Sequence, residues 1–311
     1  MLVSLKEILK VAQARKCAIG SFNTPNLASM RAVIGAAEDA KMPVIIMHAQ
    51  IHDEMGIAKL DEIAPIMLLM AEKASVPVCV HLDHGTDISY VKRALDLGFT
   101  SVMYDGSELE NEMNYANTSI VVEMAHKKGA SVEAEIGSMG AREGGSAGGE
   151  SIYTDPDDAK RFAENTGIDA LACAFGTAHG IYAKEPKLDF PRLEKIGKIV
   201  QVPLVMHGGS GVNPRDYMKS IELGIRKINC YTYMAKAGGI AVSNIGKEML
   251  YHDIELIATK AMREDAMKSI GFFSMPQSPE YAKYTGENNN FAMSPEKMDD
   301  IVKKVLEEIN N

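Results

Sequence analysis

The chain lacks what would carry it into a membrane, onto nucleic acid or out of the cell. No apolar stretch approaches the roughly 20 residues of a bilayer span, so no membrane segment is expected. Net positive charge is missing too: 33 Lys and Arg stand against 42 Asp and Glu, a formal charge of -9. A nucleic-acid partner would need a basic face and is not expected. Small anions stay open, because a few backbone N–H groups bind a phosphate even in an acidic protein. Cysteine is scarce, with Cys17, Cys79, Cys173 and Cys230 far apart and within or beside apolar runs. That spacing reads as buried reduced thiols of a cytoplasmic protein rather than a disulfide framework or a Cys-x-x-Cys metal knuckle. Met1–Lys10 lacks the apolar region of a signal peptide and reads as the start of an amphipathic helix. No repeat is visible, and the nearest thing to a low-complexity tract is Gly137–Gly149, with six glycines.

What is present is a core and a rhythm. Hydrophobic residues make up 46% of the 311, enough to fill a substantial interior. Eight short apolar runs recur: Cys17–Phe22, Pro43–Ala49, Val78–Asp83, Ser101–Asp105, Ser131–Gly137, Asp169–Phe175, Pro203–His207 and Arg226–Cys230. Helical-period segments such as Asn26–Ala40, Ile88–Leu97, Glu110–Lys128 and Asp157–Thr166 lie between them. Pro43, Pro77 and Pro203 open strands, while Gly98, Gly129, Gly167 and Gly224 end helices. Nearly continuous apolar strands in β-α alternation indicate a parallel sheet buried on both faces. Eight is the number that closes a (β/α)8 TIM barrel of about 250 residues; periodicity alone leaves a doubly wound open sheet as the alternative. The expected organisation is a single domain, 1–311, with a helical extension after the barrel from about residue 251. Thr232–Leu250 and Glu255–Lys268 read as helices and Gly271–Asn290 as a loop. A last helix starts with Ser294 as N-cap and Pro295 at its first position, and runs to Ile309. The extension is expected to cover the barrel bottom or to support a subunit contact.

Three histidines end apolar runs, and glycine follows each: His84 in Val78–Gly85, His179 in Leu171–Gly180 and His207 in Pro203–Gly208. Alone, each reads as a satisfied core histidine; together they suggest a three-histidine metal site with an open position, as in catalytic zinc. In Val80-His81-Leu82-Asp83-His84-Gly85, alternation puts His81 and Asp83 on one side. Asp83, immediately before a ligand, could move a proton at a substrate oxygen or be a structural aspartate. Glu133 and Glu135 share a face of the fifth run and could hold a metal, orient a histidine or form an internal network. Glu143, in the glycine-rich loop, is a solvated lid residue or a mobile base. His207-Gly208-Gly209-Ser210-Gly211 and Asn229-Cys230-Tyr231-Thr232 follow the seventh and eighth runs, where barrels place a phosphate site.

These residues resemble the class II, metal-dependent ketose-bisphosphate aldolases, most closely the shorter tagatose-type branch. The resemblance runs from about Val3 to Lys268 and rests on Phe22-Asn23, His81-Leu82-Asp83-His84-Gly85, Val102-Met103-Tyr104-Asp105-Gly106-Ser107, Val132-Glu133-Ala134-Glu135-Ile136-Gly137, Phe175-Gly176-Thr177-Ala178-His179-Gly180 and Met206-His207-Gly208-Gly209-Ser210-Gly211. It implies retro-aldol cleavage of fructose or tagatose 1,6-bisphosphate to dihydroxyacetone phosphate and glyceraldehyde 3-phosphate. It implies zinc on His84, His179 and His207, with Glu135 near the metal. Asp83 would be the acid-base at the C4 hydroxyl, and Glu143 would exchange the enediolate proton. Asn23, Gly180, Gly208, Gly209, Ser210, Asn229 and Thr232 would bind substrate, with Na+ or K+ beside the phosphate. Homodimers or homotetramers are implied as well. Three departures fall on the distal half of the substrate. Tyr231 stands where the family carries Asp or Ala. Ala49 replaces a Ser or Thr that helps hold the distal phosphate. The loop reads Gly140-Ala141-Arg142-Glu143-Gly144 instead of Gly-Gly-x-Glu-Asp. His48, Gln50 and His52 could replace the lost hydroxyl, serve another distal group such as a sulfonate or carboxylate, or be ordinary loop residues. The alternatives are therefore the same chemistry on sulfofructose 1-phosphate or a deoxy-inositol-derived acid phosphate, or an idle sugar-phosphate-binding regulator.

Overall fold

The computed structural model describes residues 1–138, 152–182, 184–243 and 248–274. Nine strands are seen: β1 (Leu2–Val3), β2 (Ile19–Asn23), β3 (Val44–Ala49), β4 (Val78–Gly85), β5 (Ser101–Tyr104), β6 (Ser131–Ile136), β7 (Ala170–Cys173), β8 (Leu204–Met206) and β9 (Ile225–Cys230). From β2 to β9 each pairs in parallel with the next, and β9 pairs back onto β2, from Ile19↔Lys227 to Phe22↔Cys230. The ring closes, so this is a TIM barrel and the open-sheet alternative falls. The short β1, which no periodicity announces in two residues, adds onto β4.

Local chemistry sets the helices around the ring. In α2 (Leu27–Ala40), the Asn26 side chain accepts from Ser29 N–H and the Ser29 hydroxyl returns to Asn26, so the first turn is capped from both sides. Asp155 caps α7 (Pro156–Thr166) with proline in the first turn, and Gly167 closes it in the left-handed region. The barrel strands are almost wholly buried, as a parallel sheet covered by helices requires.

Two expected boundaries move. The sixth run is strand only over Ala170–Cys173; the Ala174 N–H donates instead to Thr154 Oγ1 at 2.7 Å, which draws the chain off the ladder. His179 therefore lies on the following loop. After β9, α10 (Thr232–Ser243) is shorter than expected and α11 (Tyr251–Phe273) longer, taking Gly271 into helix. The gain at that end is apolar: Phe272 and Phe273 are buried and meet the Tyr217 ring, each ring worth roughly 2–3 kcal/mol on full burial. Phe273 O also accepts from Ala18 N–H at 3.0 Å, just before β2, so α11 ends at the barrel bottom. Along its length it packs on α2 and α10. The expected Ser294–Ile309 helix, and the Gly271–Asn290 loop beyond residue 274, lie outside the described residues.

Candidate active site

Alternation along β4 points Asp83 inward, and the next residue breaks the pattern. The β4–β5 register shifts between Leu82 and Gly85, and His84 sits at φ 46°. A non-glycine residue there is strained by about 1–3 kcal/mol, so its surroundings must hold it. They do: His84 Nδ1 donates to Asp105 Oδ2 at 2.7 Å, and Asp105 N–H donates to Gly85 O at 2.9 Å. The bulge turns the His84 ring over the barrel mouth and leaves Nε2 facing inward.

His207, just past β8, is fixed in the same way. Its Nε2–H donates to Glu133 Oε1 at 2.7 Å, and its Nδ1 lies 2.8 Å from His84 Nε2. His179 completes the group, and one ring nitrogen from each of the three lies within 4.8 Å of the others. Asp105 and Glu133 thus occupy the outer nitrogens and aim the inner ones at a common point. Glu135 on β6 shares a second candidate cluster with His84 and Asp105.

The charges around this point favour a cation. Burial alone would lower the His84 pKa, yet Asp83, Asp105 and Glu135 push it up to about 10. His207 is driven the other way by burial and by charge on His84. A single proton on His84 Nε2 donating to His207 Nδ1 accounts for their separation. Burial, with Asp105 second, raises the Glu135 carboxyl well above the usual range. Three convergent imidazoles lined by carboxyl groups are a donor set suited to a divalent ion such as zinc.

Asp83 is held by two amides, Asn23 Nδ2 to Oδ2 at 3.0 Å and Asn229 Nδ2 to Oδ1 at 3.1 Å. Burial would raise its pKa, but His84, His207 and Lys227 outweigh that and keep the carboxyl ionised. Asn229 accepts from Lys227 Nζ at 2.7 Å, so its side chain serves the carboxylate rather than standing open for a phosphate. Gly208 (φ 61°) lies where any Cβ would stand 2.4 Å from Ala178 O, so only glycine fits. Ser210 Oγ accepts from Tyr231 N–H at 2.9 Å, which places it beside Thr232 and the N-terminus of α10. A Cβ at Gly180, next to His179, would meet no described atom within 4 Å beyond its chain neighbours.

The distal candidates separate. His48 is fully buried on β3, and its Nε2 lies 2.9 Å from the Tyr90 hydroxyl. That hydroxyl in turn donates to Asp53 Oδ2 at 3.0 Å, so Nε2 must be the donor to Tyr90. Gln50 accepts from Thr86 N–H at 2.9 Å and donates to Glu54 at 2.8 Å. Both side chains are committed to the scaffold. His52 instead packs on Tyr231, ring centroids 5.1 Å apart. Ala49 pairs with Asp83 across the β3–β4 ladder. Glu143 lies outside the described residues. Ser138 and Ile152, the described residues on either side of 139–151, pair in an antiparallel bridge.

Three contributors carry no role that the sequence alone points to. Asp105 lies within Val102-Met103-Tyr104-Asp105-Gly106-Ser107. Lys227 lies two residues before Asn229 on β9, so alternation could have placed it inside. Tyr182 had no signal. Its hydroxyl donates to Gly208 O and accepts from Ala178 N–H, both at 2.8 Å, tying the His179 loop to the glycine loop after His207.

Comparison with known proteins gives one family. The family model described as fructose-bisphosphate aldolase class-II matches residues 3–277. A probable fructose-bisphosphate aldolase of Bacillus subtilis is 44% identical over 232 residues, covering 74% of this chain and 81% of the relative. A 6-phospho-5-dehydro-2-deoxy-D-gluconate aldolase of Halalkalibacterium halodurans is 44% identical over 245 residues, covering 78% and 85%. Among solved structures, the YdjI aldolase of Escherichia coli K12 superposes with a TM-score of 0.79 at 36% identity, over 88% of this chain and 97% of that one.

Proposed function

The chain belongs to the class II fructose-bisphosphate aldolase family, and we propose that its substrate is a ketose 1,6-bisphosphate of the fructose or tagatose type. It is an aldolase and so a lyase. The products would be dihydroxyacetone phosphate and an aldehyde such as glyceraldehyde 3-phosphate, reversibly. The observation that carries this reading is the Asp83 carboxylate, fixed by two amides beside three convergent imidazoles. Binding alone would need no such carboxylate, which weighs against an idle regulator.

His84, His179 and His207 would hold zinc, with Glu135 within reach of His84 in the same centre. When bound, the ion supplies Lewis acidity to the carbonyl and hydroxyl oxygens and offsets negative charge as the carbon–carbon bond breaks. Asp83 takes the C4 hydroxyl proton as C3–C4 breaks and returns it in the condensation direction. Asn23 and Asn229 keep its two oxygens in place for that transfer. Glu143 moves the proton at C3. Gly180, the backbone of Gly208 and Gly209, Ser210 and the α10 N-terminus at Thr232 receive the dihydroxyacetone phosphate half, with Na+ or K+ beside the phosphate. Four free, buried cysteines support a cytoplasmic location. No described helix is long and apolar enough to cross a membrane. The assembly is a homodimer or homotetramer.

A second reading keeps the chemistry and changes the far end of the substrate to a sulfonate, a carboxylate or another group. Ala49 offers no hydroxyl beside Asp83, while His48 and Gln50 are spent on the scaffold. The test is dihydroxyacetone phosphate release from a panel of ketose 1-phosphates differing at C4 and C6. Chelation is expected to abolish cleavage and zinc to restore it; full activity in chelated enzyme ends the metal reading. Cleavage confined to substrates without a C6 phosphate moves the assignment to the second reading.

A further inference from the structure

Lys227 on β9 is fully buried, the only buried lysine among the described residues. An ammonium removed from water costs several kcal/mol unless it is paired, so its partners are informative. Its Nζ lies 2.9 Å from Glu133 Oε2 and donates to Asn229 Oδ1 at 2.7 Å. Glu133 already accepts from His207, and Asn229 already donates to Asp83. One cation therefore stands behind both the metal side and the acid-base.

The two contacts differ in what they fix. Glu133 carries two equivalent oxygens and receives mainly charge balance. Asn229 has one accepting end and one donating end, and an ammonium can only donate. The Asn229 oxygen must therefore face Lys227, which forces its NH2 toward Asp83. Half a turn of that amide would set a carbonyl oxygen against the carboxylate. Lys227 and Asn229 are two residues apart on one strand, so alternation delivers both to the barrel interior.

We propose that Lys227 is a positioning residue for the aldol step: it locks the Asn229 amide in the one orientation that aims the Asp83 carboxylate at the reacting hydroxyl. The inference rests on the role proposed for Asp83. The competing explanation is that Lys227 only neutralises Glu133.

Three proteins separate the two: wild type, Glu133→Gln, and Glu133→Gln with Lys227→Met. Glutamine still accepts from His207, and the double variant buries neither a lone carboxylate nor a lone ammonium, so its folding does not depend on a surviving ion pair. Zinc affinity, by competition with a chromogenic chelator, is expected to match between the two variants, and the melting temperature of the double variant to be no lower than that of Glu133→Gln, whose ammonium has lost its counter-charge. Outer-sphere partners typically contribute 10–100-fold, so kcat of the double variant is expected to be about tenfold or more below that of Glu133→Gln, with KM within about threefold. Equal kcat in the two variants overturns the proposal, as does a kcat loss that follows a loss of zinc. A wild type that cleaves no substrate in the panel reports against the proposed function instead.

Discussion

The two halves of the barrel mouth are built on opposite plans. On the metal side, polar groups hold one another in a chain: Asp105 to His84, Glu133 to His207, Lys227 to Glu133 and Asn229, Asn229 to Asp83. On the distal side, His48 Nδ1 and His52 Nδ1 are buried with no hydrogen-bond partner among the described residues, as is His81 Nε2 below the metal side, and a methyl stands beside Asp83 at Ala49. A buried polar atom left unsatisfied costs about 1–3 kcal/mol. The metal side is held by its own chain of contacts before substrate arrives, while His52 Nδ1 is a distal nitrogen that no described residue engages. Under the proposed function, the reaction is assigned to the first plan and the choice of substrate to the second.

The largest expected effect breaks the metal side. Asp83→Ala should lower kcat by about 10²–10⁴, the usual range for a general acid-base, in steady-state cleavage assays. Zinc content should stay near that of the wild type, since the outer ring nitrogens of His84 and His207 keep Asp105 and Glu133. Turnover near the wild-type rate would remove the acid-base assignment.

The same contrast explains what could be read without a structure. The closed barrel was legible because eight buried parallel strands leave continuous apolar runs that proline and glycine punctuate. The candidate residues His84, His207 and Asp83 stand out because strand ends and alternation place them; His179 stands out because it follows the sixth apolar run, although it lies on the loop beyond β7. Lys227 does not, because its sequence signal is only a lysine two residues before an asparagine; its meaning depends on Glu133 arriving from β6 across the barrel. For Gln50 and His48 the sequence leaves substrate contact and ordinary loop residue both open, because nothing local shows that Thr86 and Tyr90 reach them. The early end of β7 escaped for the same reason, as the Thr154 hydroxyl that draws off Ala174 comes from a different loop.

A second prediction measures the cost of the distal plan. Burial, then charge on His52, pushes the His48 pKa from 6.5 down to about 4, against the pull of Asp53 and Asp83. The folded pKa lies below the unfolded one, so the unfolded chain binds more protons between those values. The stability from a neutral His48 is present above about pH 6.5 and is lost as pH falls through about 4, up to roughly 3 kcal/mol in all. Denaturant unfolding across that range should show this loss in the wild type and a flatter curve in His48→Gln, which can still donate to Tyr90. Parallel curves would place the acid sensitivity elsewhere.

The smallest expected effect sharpens the comparison most, because it asks what the spare nitrogen is for. His52 is buried, its ring rests on Tyr231, and burial lowers its pKa against the pull of the Asp83 charge. His52→Phe keeps a ring against Tyr231 and removes both nitrogens. If His52 reads the distal group, substrates with a polar distal end should lose about 1 kcal/mol of binding, or roughly fivefold in KM. A ketose 1-phosphate shortened past C4 should show no change, because it never reaches that ring. The metal and Asp83 stay in place in this variant, so kcat should hold for every substrate. An equal rise in KM for long and short substrates would show that His52 supports the fold of the mouth and not its selectivity. The distal half would then be as closed as the metal half, with specificity set outside these residues.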